Sequence, residues 1–335
     1  METTMVMPAP VTAMMPNSAH NMGRDKVHWS QDVWDRIDKA VHDEVMRTRV
    51  GQRFLPLRPV IPRTTSVPFD SITLPTAAAP SLSVDEGATT RLNEYWVEFS
   101  LTPAQVEHET GNIMELGHST AVTLATRAAN ILARAEDLVI FQGQNAIKRD
   151  ALFAGNLTVH SRGVPDDTGL LDLDPDGARS TPPLPEELVI PVPLKDPGTP
   201  DVYGENTFRA VALGYARLQE NGQYGPYALV LQTTPYADAY APLPDTLILT
   251  ADRLNPLMTA GFYGTGTLPF STEGEPHFYG LLVSLGGNTM DLVVGLDATT
   301  AFMQQDTDGN YRFRVVERFA LRLKDTSAVV RLEFQ

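Results

Sequence analysis

The sequence contains no cysteine, which excludes disulfide bridges, thiolate metal sites and cysteine nucleophiles together. This absence fits a reducing compartment, and we expect a cytoplasmic protein. Basic residues are also scarce: 26 lysines and arginines stand against 41 aspartates and glutamates, a formal net charge of −15. Because a surface that coats nucleic acid needs clustered positive charge, we expect no nucleic-acid partner.

Long hydrophobic runs are absent too. No stretch approaches the roughly 18 apolar residues of a membrane-spanning helix, so we expect no membrane partner. The N-terminal segment METTMVMPAPVTAMMPNSAHNMGRDK is rich in Met, Ala and Pro, and no basic region precedes it. It does not fit a secretory signal, and residues 1–28 are predicted to form a flexible or partner-ordered extension.

Motifs that carry chemistry are few. The segment EHETGNIMELGH contains one E-x-x-H pair, Glu115 and His118, but a di-iron four-helix site needs this pair twice. The acidic turns DLDPDG and QQDTDGN lack the full twelve-residue spacing of a calcium loop. There is no G-x-S-x-G elbow and no phosphate-binding loop. We therefore expect no catalytic residues, no metal ion and no cofactor.

The first clear helix is predicted within residues 29–51. Ser30 fits an N-cap, and Gly51 follows the basic last turn. Five apolar residues recur at spacings of three and four and so share one face, which either packs on the body of the protein or docks a partner. These residues are Val33, Trp34, Ile37, Val41 and Val45.

A longer helix is predicted from His118 to Phe141, because small and large apolar residues recur at helical spacing and Gly143 follows. Between the two helices, residues 60–102 are rich in Pro, Thr and Ser and end in the alternating run YWVEFSL. Prolines cannot occupy central strands, so this segment is predicted to be an extended hairpin arm. Since an isolated hairpin is marginally stable, we expect the arm to lie across a neighbouring subunit.

Residues 155–205 are predicted to be an inserted surface excursion, because prolines and an acidic turn interrupt every period except the short ELVIPV. A helix is predicted from Phe208 to Leu218. The last third of the chain then reads as short apolar strands with turn residues between them, such as Gly225-Pro226 before YALVL and Gly286-Gly287-Asn288 before MDLVV.

Several of these segments, in their order along the chain, resemble the encapsulins, shell proteins of the linocin or bacteriocin type. The C-terminal blocks are GPYALVL, GGNTMDLVVGLD and FRVVE, the central block is EDLVIFQG, and the N-terminal block is WSQDVWDRID followed by VGQRF. Gln52 precedes Arg53 where the family usually has arginine directly after the glycine. The resemblance covers roughly residues 29–334, with gaps at the insertion.

The resemblance implies an α+β fold of the tailed-bacteriophage major-capsid (Hong Kong 97) type. The expected parts are an N-terminal helix at 29–51, an extended arm, or E-loop, at 60–102, a peripheral domain with the long spine helix at 103–154 and 311–335, the insertion at 155–205, and an axial domain at 206–310.

The resemblance also implies a structural subunit that self-assembles in sixty copies or a multiple of sixty. Such a shell encloses cargo enzymes, of the iron-storage ferritin-like or peroxidase type, that carry a targeting peptide. The family docks this peptide in a groove between the N-terminal helix and the peripheral domain, and the matching positions are Trp34, Ile37, Val41 and Asp297. A loop after GPYALVL lines the five-fold pore, here Tyr240, Ala241, Pro242, Leu243, Pro244 and Asp245.

Two alternatives stay open at this point. A major capsid protein of a tailed phage or prophage would share the fold, although the acidic charge and the opening helix favour a shell subunit. A free enzyme, such as one with a di-iron site, is the third hypothesis, and metal analysis would test it.

Overall fold

A computed structural model describes residues 22–73, 81, 83–110, 119–149, 159–162, 169–171, 184–195, 203–242, 248–271 and 277–335. The helices in these ranges are α1 (Gln31–Thr48), α2 (Gly51–Phe54), α3 (Pro103–Thr110), α4 (Thr120–Gln142), α5 (Ala146–Arg149), α6 (Glu205–Glu220), α7 (Thr233–Asp238) and α8 (Thr250–Leu254). The strands are β1 (Leu57–Pro59), β2 (Ser66–Thr73), β3 (Ser83–Arg91), β4 (Asn93–Leu101), β5 (Val159–Arg162), β6 (Val189–Val192), β7 (Tyr227–Gln232), β8 (Gly261–Thr265), β9 (Phe270–Ser271), β10 (His277–Ser284), β11 (Met290–Gln305), β12 (Tyr311–Leu323) and β13 (Val329–Phe334).

A five-stranded sheet in the order β1-β11-β12-β4-β5 carries α1 and α4. The helix α4 is the predicted long helix, and it begins at Thr120, where the Ser119 side chain accepts a hydrogen bond from the backbone N–H of Val122. Its buried face is rich in alanine, including Ala121, Ala125 and Ala129 at 0% exposure. Small side chains let a helix approach closely, so α4 lies deep in the largest hydrophobic core.

The second sheet has the order β6-β13-β10-β7-β8, with β9 added to β10. All six side chains of β7 are buried, as expected for a continuous apolar run covered on both faces. The residues of β7 alternate between the two cores: Ala228 and Val230 belong to the core that contains α4, and Leu229 and Leu231 to the core under α6. The sheet therefore joins the two cores.

The arm is shorter than predicted. The strands β2 and β3 form a separate two-stranded hairpin, but YWVEFSL belongs to β4, which pairs with β12 from Asn93↔Phe319 to Leu101↔Tyr311. The alternation in this run buries Tyr95 and Val97 against the core instead of forming one edge of an arm. The prediction was wrong here because the partner strand β12 lies some 220 residues further along the chain, where no local pattern indicates it.

The predicted surface excursion at 155–205 is also wrong for its described parts. It supplies β5, which pairs with β4, and β6, which runs parallel to β13, so it adds an edge strand to each sheet. Leu170 and Leu171 are fully buried, and their N–H groups donate to the carbonyls of Ile140 and Phe141 at the end of α4. These bonds satisfy carbonyls that a helix end leaves without partners.

The two sheets divide the chain differently from the expected boundary at 310. The strand β11 was expected in the axial part but pairs with β12, and β13 was expected in the peripheral part but pairs antiparallel with β10. The chain therefore crosses between the sheets three times, between β5 and β6, after β10 and after β12. Alternation within a strand predicts which side chains are buried, but not which sheet buries them.

Candidate functional site

The resemblance puts cargo binding between the N-terminal helix, here α1, and the peripheral domain. In the structure α1 packs against α4 and β11, and we call the region where it meets β11 the α1–β11 groove. Three of the four predicted residues, Trp34, Ile37 and Val41, are exposed by 3%, 1% and 0%. They face the chain's own core, so their helical spacing reflects the attachment of α1 to the body of the protein. In this conformation they present no surface to a peptide, and their role in cargo binding stays a prediction that requires the groove to open.

Aromatic rings fill the floor of the groove. The Trp34 ring makes an edge contact with Trp29 at 4.8 Å between centroids, and Trp29 stacks on Phe313 of β12 at 5.0 Å. The indole Nε1–H of Trp29 donates to the carbonyl of Val106, 3.0 Å away. A buried indole that has a partner for its N–H loses little by being desolvated, so this cluster holds the start of α1 firmly.

Residues 22–28, which we call the N-terminal strap, cover this floor. They were predicted to be part of a flexible extension; residues 1–21 lie outside the described part of the chain. The guanidinium of Arg24 donates to both carboxylate oxygens of Asp38 on α1, at 2.8 and 2.7 Å. It also donates to the carbonyl of Thr300 on β11 and lies 4.6 Å from the centre of the Trp34 ring.

The strap also bonds to the backbone of β11. The N–H of Phe302 donates to the carbonyl of Met22 at 3.0 Å. Gly23 has a φ of +76°, and a Cβ there would lie 2.7 Å from the carbonyl oxygen of Phe302. Only glycine tolerates both this φ and this approach without strain. The sequence did not predict the strap, because residues 22–28 show no hydrophobic periodicity. The available signal was the Gly-Arg pair, whose arginine lies five residues before Trp29.

At the other end of α1, Asp297 is the one predicted cargo residue that reaches the surface, with 49% of its side chain exposed. Its Oδ1 accepts from Arg49, which directly follows α1, at 3.0 Å. The pairing of β11 with β12 shifts register between Leu296 and Thr299. Such an irregularity re-aims side chains, which explains how Asp297 turns toward the end of α1.

Behind Asp297 lies a buried acidic cluster made of Arg49, Glu136, Asp137 and Glu317. Burial raises the pKa of Glu136 to about 7, partly opposed by Arg49 at 3.7 Å. Burial also raises the pKa of Asp137 to about 8, although its carboxylate accepts hydrogen bonds from the N–H groups of Val50 and Gly51. The pKa of Glu317 is raised well above its usual value by burial and by the charge of Glu136.

The candidate pore loop is only partly described. Leu243, Pro244 and Asp245 lie outside the described residues, whereas Tyr240 is 44% exposed and Pro242 forms a bridge with Leu249. The ring of Tyr240 packs against Tyr236, and their hydroxyl oxygens are 3.3 Å apart. Burial, with the neighbouring Tyr240, raises the pKa of Tyr236 to about 12. The role of this loop in a pore stays a prediction.

The base of the arm is anchored by a buried ion cluster that sequence reasoning missed. Arg322 of β12 binds both carboxylate oxygens of Asp291 on β11, at 2.7 and 2.6 Å, and also donates to the carbonyl of Pro68 at the base of the hairpin. Lys324 adds a second cation 3.0 Å from Asp291. These bonds join the arm to the sheet, and only the cross-strand register brings them together.

Neither a metal site nor a membrane helix is present in the described part of the chain. No three Asp, Glu or His side chains among those residues come together in a way that could hold a metal ion, and the predicted E-x-x-H pair lies outside them. None of the described helices is both long enough and apolar enough to cross a bilayer.

Comparison with known proteins bears directly on the family. Residues 19–158 and 196–320 match the family described as "Encapsulating protein for peroxidase". The chain is 25% identical over 313 residues to the type 1 encapsulin shell protein EncA of Myxococcus xanthus, which covers 90% of this chain and 93% of that protein. Most of the predicted insertion falls between the two matched ranges.

Two solved structures give the fold. The virus-like particle from Pyrococcus furiosus superposes with a TM-score of 0.57 at 17% identity, covering 89% of this chain and 98% of that one. The capsid of the myovirus XM1 gives 0.53 at 11% identity, covering 85% and 90%. These likenesses confirm the predicted capsid fold, which encapsulins and phage capsids share. The family match, which spans most of the chain, separates the two: this chain belongs to the encapsulin family and is a shell protein, not an enzyme.

Proposed function

We propose that this chain assembles into a closed icosahedral shell of sixty subunits, or a multiple, that encloses a cargo enzyme in the cytoplasm. The observation that carries the proposal is the hairpin of β2 and β3. Its base packs through Val67 and Phe69, at 8% and 9% exposure, whereas Val84 further along is 50% exposed. A two-stranded ribbon is marginally stable alone, so a neighbouring subunit is its natural support.

The cargo follows from the family. We propose a peroxidase or a ferritin-like iron-storage enzyme whose targeting peptide binds along the groove between α1 and β11. Asp297 is the exposed contact at one end, and Trp34 becomes a contact where the strap leaves it. Ile37 and Val41 then act by holding α1 in place. The pore loop, Tyr240 to Asp245, is proposed to line the opening through which small substrates pass.

A genome container is the second candidate, because phage capsids share the fold. The formal charge of −15 favours an enzyme container, since packaged nucleic acid needs cationic groups near its phosphates. The ratio of absorbance at 260 and 280 nm of purified particles distinguishes the two. Particles with the ratio of pure protein support the proposal, whereas particles rich in nucleic acid would support the phage alternative.

Assembly is tested by removing the outer part of the arm. Replacing residues 70–86 with a short Gly-Ser turn leaves the base of the hairpin and the ion cluster at Asp291 in place. We expect folded subunits with unchanged far-UV circular dichroism that no longer form closed shells in light scattering and electron micrographs. Normal shells from this variant, or a parent protein that is only monomeric at micromolar concentration, would contradict the proposal.

A further inference from the structure

The edge of β11 next to α1 is covered by the strap and not by another described strand. The strand β1 pairs with β11 only from Leu292 to Val294, and beyond that point no described strand pairs with β11 on this side. The strap fills this edge instead. The N–H of Phe302 donates to Met22, and the carbonyl of Thr300, two residues earlier, accepts from the side chain of Arg24. The strap is not a strand: Arg24–Lys26 form a single 3-10 turn, and it holds the edge through a backbone bond and the Arg24 side chain.

Arg24 is the anchor of the strap. Only 12% of its side chain is exposed, and its guanidinium has three different partners: a carboxylate, a backbone carbonyl and an aromatic face. A planar guanidinium that is bidentate to Asp38 and lies over Trp34 combines charge-assisted bonds with a cation–π contact. The groove is therefore built to hold a basic side chain at this position.

We propose that the α1–β11 groove is a site for a short peptide with a basic side chain, and that the strap is its resident occupant. A targeting peptide binds by displacing the strap, bonding to the backbone of β11 at Thr300 and Phe302, and placing its own cation between Asp38 and Trp34. This inference rests on the proposed cargo function and specifies its ligand. Displacement of the strap would uncover the part of the Trp34 ring that Arg24 covers, whereas the rest of the ring stays against Trp29 and Phe313.

A resident strap lowers the apparent affinity of the groove for any other peptide. The strap is part of the same chain, so it competes at an effective concentration in the millimolar range. Apparent affinity scales with the fraction of grooves that are open. A substitution that opens a groove previously open in about a tenth of subunits should raise loading by about tenfold.

Two substitutions should open the groove by independent routes. Gly23→Ala forces a Cβ to 2.7 Å from the carbonyl oxygen of Phe302, at a φ of +76°. Arg24→Ala removes the anchor and leaves Asp38 free for a ligand. Asp38→Asn is the contrasting variant, because it releases the strap but also removes the carboxylate that a basic ligand needs. Lys39→Ala is the matched control: it breaks an exposed pair with Asp43 on the same helix.

The probe is a fluorescent protein that carries residues 21–29, NMGRDKVHW, at its C-terminus and is co-expressed with each shell variant. Fluorescence per shell is measured after size-exclusion chromatography. We expect about tenfold more probe in Gly23→Ala and Arg24→Ala shells than in parent and Lys39→Ala shells. Asp38→Asn shells should hold no more than the parent, and a probe whose arginine is changed to alanine should not load into any variant.

Assembly and loading are read separately. If the parent forms no shells in electron micrographs, the proposed function fails. If shells form but Gly23→Ala and Arg24→Ala load no more probe than the parent, the strap is not a competitor and the inference is overturned while the shell function stands. If Arg24→Ala shells fail to form, Gly23→Ala alone decides. Equal loading of the arginine-free probe would overturn the requirement for a basic side chain.

Discussion

The buried acidic cluster at the end of α1 makes the stability of this protein depend on pH, and Glu317→Gln tests this. Glu317, Glu136 and Asp137 are exposed by 2%, 1% and 1%, and the buried cation that faces them is Arg49. The exposed Asp297 adds further negative charge from β11. Glu317 Oε1 has no hydrogen-bond partner among the described residues. Because buried carboxyl groups outnumber buried cations in this cluster, the protonated forms of the acids are favoured.

The direction in which stability changes with pH follows from the raised pKa values. An acid whose pKa is higher in the folded chain than in the unfolded chain stabilises the fold below its unfolded pKa, and that stability is lost as the pH rises through the folded pKa. For Glu136 this window runs from the usual 4.5 to about 7. Each such group lowers the free energy of unfolding by at most about 1.4 kcal/mol per pH unit within its window.

The Glu317→Gln variant keeps the size of the side chain and removes one ionisable group. Because burial raises the pKa of Glu317 well above its usual value, little of the effect is present at pH 5, and we expect the urea midpoints of variant and parent to agree closely there. At pH 8 the variant should be more stable by about 1–3 kcal/mol, because the folded parent must either ionise Glu317 in the interior or keep its proton at a pH where the unfolded chain has lost it. The parent itself should lose stability between pH 5 and pH 8.

The assay is urea unfolding followed by tryptophan fluorescence at pH 5 and pH 8. Glu107→Gln on α3, an exposed glutamate, is the matched control and should leave both midpoints unchanged. If Glu317→Gln lowers the midpoint equally at both pH values, Glu317 is ionised and paired in the folded protein, and the reasoning from burial is refuted.

Two further predictions concern the arm and the insertion. Asp291→Ala leaves Arg322 and Lys324 buried without their carboxylate, so we expect the free energy of unfolding, measured with urea, to fall by about 3–5 kcal/mol. The control Asp252→Ala, at an exposed position, should cost little. An unchanged midpoint in Asp291→Ala would show that the cluster does not hold β11 and β12 together. Leu170 is 0% exposed, so Leu170→Ala should lower the free energy of unfolding by about 2–5 kcal/mol. Leu194 is 46% exposed, and Leu194→Ala should change it by less than about 0.5 kcal/mol. Equal effects of the two substitutions would mean that residues 169–171 are peripheral.

Local pattern predicted the helices well and the strand partners poorly. Helical spacing and Gly143 gave α4 nearly to the residue, because both signals lie within the element itself. The assignment of YWVEFSL failed because its partner, β12, is distant in sequence. The insertion was misjudged because its prolines were conspicuous, whereas buried residues such as Leu170 and Leu171 have no periodic context.

In the candidate site, too, local patterns predicted single elements but not their partners. The apolar face of α1 was predicted correctly as a buried face, but spacing alone does not tell whether the chain's own core or a partner covers it. Asp297 was predicted from the resemblance, and the structure shows it exposed beside Arg49. Arg24 was missed, since a single arginine in an irregular segment carries no signal until Asp38 and Trp34 are found beside it.

The motifs that carry the family resemblance meet at one junction. Glu136 and Asp137 come from EDLVIFQG, Asp297 from the end of GGNTMDLVVGLD, Glu317 from FRVVE, and Val50 and Gly51 from VGQRF. In the structure these residues surround Arg49, where α1 ends and where α4, β11 and β12 come together.

This convergence gives the motifs a physical reason. The chain crosses three times between two sheets, and its first helix packs on both the spine helix and the long β11–β12 hairpin. Apolar contacts alone would allow α1 to slide along the alanine-rich face of α4, because such contacts are non-directional. The bonds from Val50 and Gly51 to Asp137, and from Arg49 to Asp297, have fixed directions and set the position of the helix end. The opposite end is held by Arg24, on the strap that we propose can be displaced. One end of α1 is thus fixed by buried polar bonds, whereas the cover of the groove at the other end is held by the Arg24 side chain and the backbone bond from Phe302 to Met22.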